Sequence, residues 1–119
     1  MIILDTNFLI YALKYKIAQQ LEEFKREISV TSQVIEELEK LSMIGKVTDR
    51  EAAKIALVFL EKWNVNVLEA EGNADEAIES LALKNKAKVA TMDKLLAKKL
   101  EKSKIQILKI RQKKRIIRD

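Results

Sequence analysis

The sequence predicts an α/β fold, a three-layer α/β/α sandwich around a central, mainly parallel sheet of about five strands. Short β-type runs alternate with longer helical runs, and parallel strands need crossover connections of that length. No Pro-, Gly- or Ser-rich stretch divides the 119 residues, which include two glycines and no proline. Hydrophobic residues make up 48% of the chain, enough to cover both faces of a sheet. A single domain is therefore expected over residues 1–111, with a basic tail at 112–119.

Each element has its own signal. Met1 to Leu4 reads as a short apolar strand that stops at Asp5. Beyond Asn7, the residues Phe8, Leu9, Ala12, Leu13, Ile17, Ala18, Leu21 and Phe24 recur at helical spacing, with a break near Tyr15 and Lys16. Ile28 to Val30 is a second strand. Thr31 or Ser32 then caps a helix carrying Val34, Ile35, Leu38 and Leu41 on one face. A turn around Gly45 leads to Thr48 and Glu51, which are spaced as a capping box for a helix reaching about Trp63. Val65 to Leu68 is a third strand, followed by a turn at Glu71, Gly72 and Asn73. Ala74 to about Lys86 is helical through Ala77, Ile78, Leu81 and Ala82. Lys88 to Thr91 is a fourth strand, ending just before Asp93. A helix through Leu95, Leu96 and Leu100 follows, and Ile105, Ile107 and Ile110 mark the fifth strand.

The chain has no histidine and no cysteine. Disulfides, Cys/His zinc sites, thiol nucleophiles and imidazole proton carriers are therefore excluded. The two glycines, Gly45 and Gly72, cannot supply a dinucleotide or phosphate loop. A serine hydrolase lacks its histidine and its nucleophile elbow. A phosphoacceptor receiver would need paired acids near the first strand, where only Asp5 stands.

The net charge of +5 is unevenly spread, with +9 over residues 94–119 and −4 over residues 1–93. An acidic body ending in a basic segment points to a polyanionic partner. No apolar run is long enough to span a bilayer, and the N-terminus lacks a basic region before its apolar stretch. A cytoplasmic protein with no membrane association is expected.

In open parallel sheets, functional groups collect at the carboxyl ends of the strands. Asp5 and Asp93 both follow strands, where a lone aspartate commonly caps a helix and a pair suggests a site. Counting about 100° per residue, Glu37 lies roughly 90° from the centre of its helix's apolar face, and Glu36 lies about 170° away, toward water. On the next helix Asp75 lies about 100° from the apolar centre and Glu79 about 140°. Four carboxylates in one pocket stay ionised only with cations among them. Oxygen-only ligation selects hard divalent ions, Mg²⁺ or Mn²⁺, which also favour phosphate chemistry.

The segments Ile2-Ile3-Leu4-Asp5-Thr6-Asn7, Val34-Ile35-Glu36-Glu37-Leu38-Glu39-Lys40-Leu41, Ala74-Asp75-Glu76-Ala77-Ile78 and Ala90-Thr91-Met92-Asp93 resemble, in order and spacing, the motifs of the PIN-domain nucleases. The resemblance implies a metal-dependent endoribonuclease with Asp5, Glu37, Asp75 and Asp93 as catalytic residues and ligands of one or two Mg²⁺ or Mn²⁺ ions. Thr6, Thr91 and Glu79 are expected to support those ligands. Lys94, Lys98, Lys99, Arg111, Lys113 and Arg115 are expected to grip the RNA. The fourth motif departs from the family's usual Thr-Asn-Asp by placing Met92 in the middle. The Glu-Leu-Glu-Lys-Leu run and the ending Ile107 to Arg111 look closer to the ribosomal-RNA-processing branch than to the VapC-type toxins. The alternatives are a toxin ribonuclease held by an antitoxin, and a non-catalytic RNA- or ribosome-binding module. A homodimer is a further expectation of the resemblance.

Overall fold

The computed structural model describes residues 1–118 and contains a six-stranded sheet with helices on both faces. In chain order the elements are β1 (Ile2–Leu4), α1 (Thr6–Lys14), α2 (Ala18–Glu22), β2 (Ile28–Thr31), α3 (Ser32–Ile44) and α4 (Val47–Lys62). Then come β3 (Asn66–Leu68), α5 (Ala74–Asn85), β4 (Lys88–Ala90), α6 (Lys94–Lys102), β5 (Ile107–Arg111) and β6 (Arg115–Arg118). The strand order is β3-β2-β1-β4-β5-β6. β1 to β5 pair in parallel, and β6 runs antiparallel to β5.

Alternation along the strands divides the core into two layers. Ile2 and Leu4 face one side with Val30, Ala90, Leu108 and Ile110, where they meet Phe8, Leu9, Leu38, Ala53 and Ala56 of α1, α3 and α4. Ile3, Val89 and Ile107 face the other side and pack on Ile78 and Ala82 of α5 and on Leu96 and Leu100 of α6. Phe8, Leu38 and Leu100 are completely buried, and each such side chain contributes about 1.5–3 kcal/mol. This is the three-layer arrangement that the alternating pattern predicts.

One sequence expectation is met in detail and two need correction. The long helical run from Asn7 does break, into α1 and α2, with Lys16 in the left-handed region at φ 57°. Thr48 does not cap α4, because the helix already begins at Val47, with Lys46 at the cap position and no side-chain cap. The segment read as a basic tail folds back as a sixth strand. Gln112 and Lys113 turn the chain with φ of 56° and 58°, and Lys114 N–H donates to Arg111 O at 3.1 Å. Such a turn normally advertises itself with glycine or asparagine, and neither is present. From α2, Gln20 holds the returning strand: its Nε2 donates to Lys114 O at 2.6 Å, and its Oε1 accepts from Ile116 N–H at 2.7 Å. Asp119 lies outside the described residues.

This topology has a switch point. From β1 the chain moves outward through β2 to β3, then returns to β4 on the other side of β1. The crevice beyond the carboxyl ends of β1 and β4 is where such sheets present their functional groups.

Candidate active site

Asp5 occupies that crevice as the first residue past β1. Its backbone N–H still donates to Ala90 O of β4 at 2.9 Å, so the side chain is fixed by the sheet itself. Oδ1 accepts from Thr6 N–H at 2.8 Å, capping α1, and Oδ2 accepts from Thr91 Oγ at 2.8 Å. Thr91 continues from β4, with its N–H on Leu108 O at 3.1 Å, and its hydroxyl also accepts from Asp93 N–H at 3.1 Å. One buried threonine therefore joins the two aspartates that follow the neighbouring strands.

From α3 and α5, Glu37 and Asp75 stand near enough for their charges to act on the Asp5 carboxyl. Glu37 sits at the margin of the apolar face formed by Val34 and Leu38, and its Oε2 accepts from the buried Thr6 hydroxyl at 2.9 Å. Asp75 stands in the first turn of α5, which Asn73 caps by accepting from Asp75 N–H and Glu76 N–H at 2.9 and 3.1 Å. Burial raises the Asp5 pKa above the ordinary aspartate range, the hydrogen bonds from Thr91 and Thr6 oppose this, and the negative charges of Glu37 and Asp75 push it further up.

Asp93 lies at the rim. Its Oδ1 caps α6 by accepting from Leu95 N–H and Leu96 N–H at 2.9 and 3.1 Å, leaving Oδ2 without a protein partner among the described residues. Both strand-end aspartates thus have the capping role open to them on local grounds, together with their place in the crevice. Glu79 is directed elsewhere, accepting from Ser103 Oγ at 2.9 Å with Lys99 Nζ at 3.9 Å. Its expected support of the site is corrected accordingly: four residues beyond Asp75, its side chain leans toward the C-terminus of α6.

Among the described residues, no three carboxylates close into a finished metal cage. Like charges with no cation between them favour that spacing. The ion pairs among the described residues are Lys14–Asp49, Lys25–Glu22 and Lys99–Glu79, and none involves Asp5, Glu37, Asp75 or Asp93. A carboxylate whose pKa is raised by burial and then by two neighbouring negative charges, with every donor an oxygen, fits a hard divalent cation.

Met92, the departure from the fourth motif, turns inward. Its sulfur accepts from Ile110 N–H at 3.4 Å and its side chain packs on the α1/α3/α4 core layer. Its backbone N–H donates to Asn7 Oδ1 at 3.2 Å, so Asn7 ties the start of α1 to the loop carrying Asp93. Nothing in the spacing around Asn7 marks this role, because its partner lies 85 residues away. Of the two residues expected to cap α3, Thr31 does so, while Ser32 bonds both backbone groups of Ala70 through its hydroxyl, and Gln33 Nε2 donates to Gly72 O at 2.7 Å. Ser32 and Gln33 hold the loop leading to Asp75. The Asn73-x-x-Glu76 spacing was the legible sign of the cap.

Beside Asp93 lies an open depression of about 500 Å³, lined by Thr91, Met92, Lys94, Lys98, Lys109, Ile110 and Arg111 among others. Lys94 and Lys98 fall on one face of α6, and Arg111 ends β5. Of the other expected RNA contacts, Lys99 approaches Glu79, Lys113 Nζ sits 4.9 Å from the Tyr15 ring centroid, and Arg115 lies opposite Arg111 in the hairpin.

A family model described as a PIN like domain matches residues 2–113. Ribonuclease VapC4 of Methanocaldococcus jannaschii is 38% identical over 95% of this chain and 92% of its own length. Ribonuclease VapC9 of Archaeoglobus fulgidus is 33% identical over 96% of this chain and 85% of its own. A solved domain of a functionally unknown protein from M. jannaschii shares the fold, with a TM-score of 0.62 at 16% identity, covering 92% of this chain and 89% of that one. The expected leaning toward ribosomal RNA processing finds no support, since both sequence relatives carry the VapC name. The chain belongs to the PIN-like domain family.

Proposed function

We propose that this protein is a divalent-metal-dependent endoribonuclease of the VapC type, cutting RNA phosphodiester bonds at the Asp5 crevice. The carrying observation is Asp5 itself, a carboxylate fixed between β1 and β4 at the switch point, its pKa raised by burial and further by the charges of Glu37 and Asp75. Asp5, Glu37 and Asp75, with Oδ2 of Asp93 from the rim, would hold Mg²⁺ or Mn²⁺. When bound, such an ion supplies a water of lowered pKa and offsets the charge that grows on the phosphate.

The chain's own residues do the rest. Thr91 and Thr6 hold Asp5 and Glu37 in position through their hydroxyls. Lys94, Lys98 and Arg111 bind the RNA backbone in the adjacent depression. Arg111 and Arg115 face each other directly across the hairpin, an arrangement that costs stability unless an anion lies over it. The names of the VapC relatives support the toxin reading, in which an antitoxin restrains the nuclease.

The test is cleavage of single-stranded RNA by the purified protein with Mg²⁺ or Mn²⁺ and with a chelator. Metal-dependent cleavage that Asp5→Asn abolishes supports the reading. Cleavage at equal rate in Asp5→Asn, or in the chelator, refutes it.

A further inference from the structure

The sheet has two edges of opposite character. At β6 the outer edge is already occupied, since Gln20 bonds the backbone at Lys114 and Ile116, and Arg115 and Arg118 flank it. At the other end, among the described residues, β3 pairs with β2 alone and its outer row of backbone groups has no strand beside it. Alongside β3 runs a groove of about 660 Å³ between that strand, α3 and α4. Its apolar lining comes from Val30, Ile35, Leu57, Leu60, Val65 and Val67, and Val67 is 45% exposed. Its rim carries four glutamates, Glu36, Glu39, Glu61 and Glu69, and no lysine or arginine lines it.

An open strand beside an apolar groove is suited to receive an extended segment by strand addition. The four glutamates decide among occupants. RNA would be repelled by them. A second copy pairing β3 with β3 about a two-fold axis would bring two acidic rims together. A basic segment gains at every one of these charges. We propose that β3 is a docking edge for an extended, lysine- or arginine-bearing segment of a partner protein, which adds to the sheet while its apolar side chains fill the groove. This is independent of the nuclease reading, because the groove uses none of Asp5, Glu37, Asp75 or Asp93.

The probe is a synthetic peptide of about ten residues in which valine and lysine take turns at every second position, so that both face the groove, with serine between them; the same peptide with glutamate in place of lysine is its counterpart. The lysine peptide should bind the full chain with micromolar affinity, more weakly as salt rises, and should protect the amides of Asn66–Leu68 from hydrogen exchange. The double variant Glu39→Lys, Glu61→Lys, changed at two exposed positions, should bind it about tenfold more weakly. Asp5→Asn should bind as the unaltered protein does. No binding at about millimolar peptide, equal binding of both peptides, or competition by an RNA oligonucleotide would overturn the proposal. Binding that Asp5→Asn removes, without protection at Asn66–Leu68, would overturn it too, because the peptide would then be meeting the active-site acids.

Discussion

Thr91 Oγ donates to Asp5 Oδ2 at 2.8 Å, joining residues 86 positions apart across the carboxyl ends of β1 and β4. The same oxygen accepts from Asp93 N–H, so one hydroxyl sets the relation between the deepest acid and the rim acid. Thr91→Val keeps the shape and removes both bonds. It should cost about 1.5–3 kcal/mol of stability, since the acceptor is charged and partly buried. It should also lower RNA cleavage by tenfold or more, while Thr91→Ser retains most of both. Denaturant unfolding and single-turnover kinetics measure the two effects.

Asp5 opposes folding at neutral pH in the metal-free protein. Its pKa in the folded state is raised, so the folded chain holds the Asp5 proton more tightly than the unfolded chain. The stabilising contribution is complete below the unfolded pKa and is lost as pH rises through the folded one. Asp5→Asn should therefore be more stable than the parent at pH 7, with the difference vanishing in acid. Thermal unfolding in chelator at several pH values checks the sign.

Cation binding should reverse that balance. Mn²⁺ in hundredfold excess over its dissociation constant should stabilise the parent protein by about 2.7 kcal/mol. Asp5→Asn should gain far less, and Glu79→Gln, whose carboxylate engages Ser103 and Lys99, should gain as much as the parent. Thermal shifts across a Mn²⁺ titration separate the three.

The basic residues should sort by position. Lys98→Ala and Arg111→Ala should weaken RNA binding and reduce the salt slope by about one each, as lost phosphate contacts do. Lys99→Ala should change binding little, because its ammonium lies toward Glu79. Fluorescence anisotropy against salt concentration tests this ranking.

The C-terminal hairpin should depend on Gln20. Gln20→Ala removes two hydrogen bonds to the β6 backbone and should cost about 1–2 kcal/mol. Hydrogen exchange should then speed at Arg115–Arg118 before it speeds at β1.

Residue pattern alone carried much of the fold. The alternation of Ile2, Ile3 and Leu4 between two core layers follows from a strand buried on both faces, and the apolar face of α3 placed Glu37 at its margin. Hidden features were those made by long-range contact. The turn into β6 uses two non-glycine residues at positive φ and is secured by a glutamine more than ninety positions earlier, so no local signal marked it. Asn7, Ser32 and Gln33 act through backbone groups of distant loops, which residue spacing cannot show. Glu79 was misread because a shared helix flank says nothing about which neighbour, here Ser103, a long side chain will choose.

The most direct measurement is anomalous diffraction from crystals grown with Mn²⁺. The account predicts a manganese peak ligated by Asp5 together with Glu37 or Asp75, in the crevice between the ends of β1 and β4. A peak bound only by other acids, or full metal-dependent RNA cleavage with no manganese at Asp5, would contradict it.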